Sequence, residues 1–209
     1  MFGAKAHMAA LEKGLETELI MVPFDSDDRY EPKHPEVLRI NPKKQVPVLI
    51  HGQVELFDST QIFEYFEDLQ PSPALWPEDF RLKAKARLLE HLADEVYFPH
   101  VVQLMGLQDA IDSPAALEAL EAASRFYEEM EQFLQDQDYL VGSFSYADIA
   151  FYMAQVFGER KGALMTKSTP GLWRWRDRMT KRSAIKQGIE PLIQHLKSSS
   201  RPVPDFLQH

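Results

Sequence analysis

The sequence of 209 residues contains no cysteine. Without cysteine the chain has no disulfide, no thiolate metal ligand and no cysteine nucleophile. Cysteine-dependent thiol–disulfide reduction is therefore excluded by composition. A chain without disulfides suits a reducing compartment, which favours a cytoplasmic location.

Long apolar runs are also absent, since no stretch approaches the ~20 residues that span a bilayer. The first residues, MFGAKAHMAALEKG, have no apolar h-region of a signal peptide. There are 23 basic and 32 acidic residues, giving a formal net charge of −9, and such a chain is repelled by phosphate backbones and anionic membranes. We therefore expect a soluble cytoplasmic protein with no nucleic-acid or membrane partner.

Motifs for metal and nucleotide chemistry are missing as well. The seven histidines include no pair with the i, i+4 spacing of a helical metal site, and there is no HExxH motif. Neither GxGxxG, a Walker sequence nor GxSxG occurs. The sequence therefore predicts no metal site and gives no support for nucleotide binding.

What is present begins with the run VPVLIHGQVELFDST at residues 46–60. Pro47 cannot donate to a sheet ladder, so it belongs at the start of a strand or on an edge. The following apolar run, the His51-Gly52 turn and the alternation that follows predict a hairpin. Asp58-Ser59-Thr60 then stands where the N-cap of a helix should be.

The rest of the chain divides into two parts. Before this run, the composition predicts a helix over 4–13, a buried strand over 19–22 and a loop over 25–36. Residues 70–79, QPSPALWPED, hold three prolines and mark a boundary. We therefore predict an α/β domain at 1–70, a proline-rich linker at 71–79 and an all-helical domain at 80–209.

Two motifs and this order of elements carry a family resemblance that covers nearly the whole chain. NPKKQVPVL at residues 41–49 and LVGSFSYADIA at residues 140–150 resemble signatures of the cytosolic glutathione transferase superfamily, of the bacterial type. The resemblance implies an N-terminal thioredoxin-like α/β domain and an all-α C-terminal domain. It also implies glutathione as co-substrate, a hydrophobic electrophile as second substrate, homodimerisation and a role in detoxification.

The resemblance implies roles for the residues around the hairpin. The Val46–Pro47 bond would be cis, which leaves the Val46 N–H and C=O free to pair with the cysteinyl part of glutathione; a trans proline opening an edge strand is the alternative. Lys44, or Gln45 beside it, could reach the glycyl carboxylate, although the lysines could equally belong to a solvated loop.

The resemblance also implies binding roles for the residues at the start of the next helix. Ser59 would take the γ-glutamyl carboxylate with Asp58 beside it, because first-turn N–H groups favour anions. The alternative is that these residues only cap the helix, and both roles are compatible.

Two further groups of residues belong to the helical half. Ser145 and Asp148 fit S-x-x-D, a capping box that stabilises a helix rather than performing chemistry. Tyr97, His100 and Met105 lie on the first long helix, which in the family lines the pocket for the electrophile, so they are candidate pocket residues. Helix packing explains these three residues equally well.

The catalytic residue is unassigned, because the family places a thiol-activating serine, tyrosine or cysteine in the loop before its first helix. Here no such residue precedes Ser26. The first strand and its loop are missing too, and we expect an N-terminally truncated version of an active enzyme. The alternatives are a substitute strand from a partner, or a non-catalytic glutathione-binding or protein-interaction module. A glutathione-dependent isomerase or dehalogenase would share the same site.

Overall fold

The computed structural model describes residues 1–22 and 31–208. The chain forms two compact units, one of residues Phe2–Pro73 and one that runs from Ala74 onward together with Met1. None of the described helices is both long and apolar enough to cross a membrane. The linker and domain limits drawn from the sequence stay a prediction.

The described part of the N-terminal unit is an antiparallel hairpin with three helices. Its described elements are α1 (Phe2–Glu12), α2 (Pro35–Ile40), β1 (Val48–His51), β2 (Val54–Phe57) and α3 (Ser59–Leu69). The predicted first helix, hairpin and capped helix are thus present, although the turn is Gly52-Gln53 and not His51-Gly52, because His51 still pairs with Val54. Gly14, with a φ of 66°, stands just past the end of α1, where a left-handed residue ends a helix.

The two faces of the hairpin pack differently because side chains alternate along a strand. Leu49 and Leu56 are register partners and pack on a core of buried side chains from α1 and α3, namely Ala6, Ala10, Ile62 and Phe66. Glu55, on the opposite face, accepts hydrogen bonds from Arg39 of α2. The unit is therefore layered as helix pair, sheet and single helix, as the predicted thioredoxin-like α/β class requires.

The prediction of a strand over residues 19–22 is wrong. Residues 15–22 form neither helix nor strand, and Leu19, Ile20 and Met21 are 44 %, 62 % and 59 % exposed. A strand needs a neighbour to accept its hydrogen bonds, and in the described residues the two strands pair only with each other. Of the predicted loop over 25–36, residues 25–30 lie outside the described residues.

The second unit is helical, as predicted. Its α-helices are α4 (Phe80–His91), α5 (Phe98–Gly106), α6 (Pro114–Leu134), α7 (Tyr146–Glu159), α8 (Pro170–Lys181) and α9 (Ser183–Ser198), and a π-helical turn, Leu92–Tyr97, joins α4 to α5. Helix α7 is apolar almost all round and buried along most of its length, which is typical of a central helix. Its Phe151 stacks on Trp175 of α8, with ring centroids 5.0 Å apart.

Candidate functional site

The loop between α2 and β1 is held by Asn41, a buried residue whose role the sequence analysis did not identify. Its Nδ2 donates to the Gln45 carbonyl over 2.7 Å, and its Oδ1 accepts from the Lys43 N–H over 2.9 Å. The Asn41 carbonyl accepts from the Lys44 N–H over 2.8 Å. The Asn-Pro pair at 41–42 is a turn signal that could have indicated this scaffold.

This loop delivers the chain to a cis Val46–Pro47 peptide bond, as predicted. Within residues 1–22 and 31–208, the Val46 N–H and C=O have no hydrogen-bond partner. An extended ligand can therefore pair with both groups in the manner of an added strand.

The hairpin register brings the two predicted binding segments to the same end of the sheet. Val48 at the start of β1 lies opposite Phe57 at the end of β2. Val46 stands two residues before Val48, and Ser59 stands two residues after Phe57, so both segments leave the hairpin at this end. Paired strands lie about 5 Å apart, which is within the reach of one small peptide.

Helix α3 begins at Ser59, and Asp58 is its N-cap. The Asp58 Oδ1 accepts from the N–H groups of Thr60 and Gln61 over 3.0 and 3.2 Å. Its Oδ2 forms no hydrogen bond or ion pair with any described group. Ser59 itself is buried, with 2 % of its surface exposed. The predicted capping role is confirmed, and one carboxylate oxygen of Asp58 remains available to a ligand cation.

The backbone of Asp58 is unusual for a non-glycine residue, with φ 76° and ψ 130°. Such conformations cost roughly 1–3 kcal/mol and cluster at ligand-binding sites. Lys44, on the facing loop, also has a positive φ of 54°. Each of the two segments thus contains a strained polar residue, Lys44 two residues before Val46 and Asp58 directly before Ser59.

The charge around the loop is mixed. Lys44 is exposed and has no ion pair within the described residues. The Glu31 carboxylate is bound by Lys33 and lies close enough to Lys44 for attraction, and the two ammonium groups lower the pKa of Glu31, with Lys33 the main cause. A ligand carboxylate that binds Lys44 would therefore compete only with the longer-range attraction of the Glu31 carboxylate. It would not have to break a salt bridge.

The three candidate pocket residues lie in different surroundings in the helical unit. Tyr97 is fully buried in its core, whereas His100 and Met105 of α5 are half-buried. The Tyr97 hydroxyl bonds to the Tyr127 hydroxyl, which donates to the Ala163 carbonyl over 2.9 Å. Burial raises the pKa of both tyrosines above 10. Packing thus accounts for Tyr97, and the pocket roles stay a prediction.

The predicted capping box is present at the start of α7. Asp148 accepts four hydrogen bonds of 2.9–3.0 Å, from the N–H groups of Leu140 and Ser145, the Ser145 hydroxyl and the Trp175 indole. Burial raises the pKa of Asp148 to about 6, against the lowering effect of these donors. The sequence predicted the bonds to Ser145 but not those to Leu140 and Trp175, which are tertiary contacts.

Comparison with known families agrees with this geometry. The profile "Glutathione S-transferase, N-terminal domain" matches residues 1–69, and "Glutathione S-transferase, C-terminal domain" matches residues 88–183. The first match contains the Val46 loop and the Ser59 helix start, and the second contains the α7 capping box.

Individual relatives cover most of the chain. Protein LigF from Sphingobium is 30 % identical over 86 % of this chain and 85 % of its own length, and the crystal structure of this β-etherase superposes with a TM-score of 0.73 over 90 % of this chain and 93 % of its own. A probable glutathione S-transferase of Nicotiana tabacum is 29 % identical over 90 % and 83 %. A glutathione S-transferase of Methylobacillus flagellatus with glutathione bound is 28 % identical, with a TM-score of 0.76 over 90 % and 93 %.

Proposed function

Because the chain belongs to the glutathione S-transferase family, we propose that it binds glutathione at the Val46 loop and the Ser59 helix start and reacts its thiolate with a hydrophobic electrophile. The observation that carries the proposal is the pair of backbone groups of Val46 that have no partner among the described residues, at the end of the hairpin where α3 begins. Both a peptide backbone and a carboxylate find complementary groups there.

Each part of the tripeptide has a matching group in the proposal. The cysteinyl N–H and C=O pair with Val46 across from Pro47. The γ-glutamyl carboxylate binds at Ser59, where the helix dipole favours an anion. The neighbouring ammonium binds the Asp58 Oδ2, and Lys44 takes the glycyl carboxylate.

The reaction is a nucleophilic addition or substitution by sulfur. In substitution a sulfur lone pair forms the new C–S bond, the bond to the leaving group breaks, and that group departs with the electron pair. The thiol proton passes to water beforehand, and the protein promotes its loss by stabilising the thiolate. The residue that does this is unassigned, as is any contribution of Tyr97, His100 and Met105 to the electrophile pocket.

A second candidate reaction is cleavage of an ether, favoured by the similarity to the β-etherase LigF over most of both chains. Here the leaving group is an alkoxide or phenolate, which takes up a proton once released. Isomerisation and dehalogenation use the same thiolate. Assays with an aryl ether and an aryl halide, each followed by loss of free thiol, distinguish ether cleavage from substitution of a halide. Isomerisation returns the thiol unchanged, so it is followed by conversion of a cis alkene substrate to its trans isomer. Glutathione binding without turnover in any of these assays supports the non-catalytic module.

Glutathione binding is tested by calorimetry on the wild-type chain and on Ser59→Ala. We expect the wild type to bind and the variant to bind at least tenfold more weakly. A hydrogen bond to a charged group contributes ~1.5–3 kcal/mol, and a factor of ten is ~1.4 kcal/mol. Absence of heat with the wild type would reject glutathione as the ligand.

Neighbouring lysines provide the matched control for this titration. Lys43 and Lys44 are both exposed, but only Lys44 is assigned to the ligand. Lys44→Gln should therefore weaken glutathione binding several-fold while Lys43→Gln leaves it unchanged. Equal effects of the two substitutions would indicate a general electrostatic contribution and remove Lys44 from the site.

Homodimerisation is part of the proposal, supported by apolar side chains two turns apart on the surface of α4. Phe80 is 73 % exposed and Leu88 is 52 % exposed. Light scattering should give twice the 24.1 kDa of one chain, and Phe80→Glu should shift the mass towards the monomer. Leu117→Glu, at a 53 % exposed position of α6, should leave the dimer intact. A wild-type monomer at micromolar concentration would contradict the assembly.

A cytoplasmic location stays a prediction from composition.

A further inference from the structure

The C-terminal end of α7 is basic although the protein carries a net charge of −9. Arg160 and Lys161 follow directly after α7, and both are half-buried. The Arg160 guanidinium lies over the Phe157 ring, 5.0 Å from its centroid. Arg201, also half-buried, lies near enough to both residues to repel them.

Neither Arg160 nor Lys161 forms an ion pair with any carboxylate of the described residues. Two fully buried cations elsewhere in the described residues are paired, by contrast: Lys13 with Glu67 over 2.6 Å and Arg176 with Glu159 over 3.2 Å. Burial lowers the pKa of both Arg160 and Lys161, and the positive charges around them lower it further. Both side chains are thus held partly out of water beside like charges, without a carboxylate partner among the described residues.

Capping of α7 does not explain these side chains. Two of the last carbonyls of the helix are taken by backbone N–H groups: the Gly158 carbonyl accepts from Lys161 and Ala163 over 2.9 and 3.0 Å, and the Val156 carbonyl accepts from Arg160 over 3.3 Å. The charged ends of Arg160 and Lys161 donate to no carbonyl of the described residues.

We propose that Arg160 and Lys161, with Arg201 beside them, form a binding site for a compact oxyanion of the sulfate or phosphate class. A guanidinium offers a planar pair of donors that matches two oxygens of such an anion, and an ammonium adds a mobile point charge. The cation–π contact with the Phe157 ring helps to fix the position of the Arg160 guanidinium. The oxyanion is either free in solution or the charged group of a larger aromatic molecule.

Thermal unfolding in sulfate against chloride at equal ionic strength tests the site. Sulfate should raise the wild-type midpoint in a saturable way, by about 3 °C or more at ten times its dissociation constant. Arg160→Gln and Lys161→Gln should abolish this rise. In chloride the same two variants should be at least as stable as the wild type, because a repulsion has been removed. Lys167→Gln, an exposed position in the next loop, should retain the full response.

Other outcomes overturn the site. Variants that keep the sulfate response, or a Lys167→Gln variant that loses it equally, would show a general salt effect. Variants that are less stable in chloride would show that the cations serve the fold. Phenyl phosphate compared with inorganic phosphate identifies the source: tighter binding of the aryl compound indicates a larger aromatic ligand, and equal binding a free anion. None of these readouts depends on glutathione binding, so this inference and the proposed function can fail separately.

Discussion

Asp148→Ala should lower the thermal midpoint by about 10 °C and leave glutathione affinity unchanged. The substitution removes one carboxylate but leaves three buried donors without an acceptor, the N–H groups of Leu140 and Ser145 and the indole of Trp175. Each costs about 1–3 kcal/mol, and 1 kcal/mol corresponds to roughly 2–4 °C for a chain of this size. Differential scanning calorimetry measures the midpoint.

The matched control is Asp138→Ala, which removes an exposed carboxylate paired with Arg178. Exposed ion pairs contribute ~1 kcal/mol or less, so its midpoint should stay within a few degrees of the wild type. If purified, soluble Asp148→Ala protein lost stability and glutathione affinity to the same extent, the capping box could not be purely structural.

Asp148 also gives the stability a pH dependence that Asp148→Asn should remove. Its folded pKa of about 6 lies above the ordinary value of 3.8, so the native state binds this proton more tightly than the unfolded state does. The free energy of unfolding that comes from this group therefore rises as the pH falls from 7 towards 4. Urea unfolding at pH 7 and pH 4.5 should show the wild type gaining stability relative to Asp148→Asn.

The capping box was predictable because a helix start is encoded within four residues. The prediction of a strand over 19–22 failed because an apolar run becomes a strand only where another strand pairs with it, and that pairing depends on distant residues. The same limit applies at the site, where the sequence indicated Val46 and Ser59 but not the bonds by which Asn41 holds the loop.

The continuous helical run of α4, the π-helical turn and α5 shows how a local deviation from α-helical geometry changes which residues are buried. A regular α-helix predicts one apolar stripe over Leu82, Ala86, Leu89, Ala93 and Val96. The structure buries Ala86, Leu89 and Ala93, but Val96 is 44 % exposed and Tyr97 is fully buried. The π-helical turn from Leu92 to Tyr97 widens the spiral, so the next buried position comes four residues after Ala93 instead of three.

That buried Tyr97 explains why Gly158→Ala should be among the most destabilising single-methyl changes in the helical unit. A Cβ at Gly158 would lie 1.9 Å from the Tyr97 hydroxyl oxygen and 3.1 Å from that of Tyr127. The Tyr97 ring is fixed by Phe126 and Tyr127, with centroids 5.0 and 5.3 Å away. Overpacking costs ~1–3 kcal/mol and the broken hydroxyl chain adds about 1 kcal/mol, so we expect a loss of roughly 3 kcal/mol in urea unfolding.

Helix propensity alone would make Gly158→Ala stabilising, so a loss of stability can be attributed to the clash with Tyr97. Alanine is favoured over glycine inside a helix by up to ~1 kcal/mol, so Gly106→Ala, at an end of α5 where a Cβ meets nothing within 4 Å, should be neutral or stabilising. Tyr97→Phe alone should cost ~1 kcal/mol by removing the bond to Tyr127. Combined with Gly158→Ala it should restore at least 1 kcal/mol, because the oxygen that meets the new methyl group is gone and the two effects are coupled. Additive losses in the double variant would show that the Tyr97 hydroxyl is not the group that keeps position 158 a glycine.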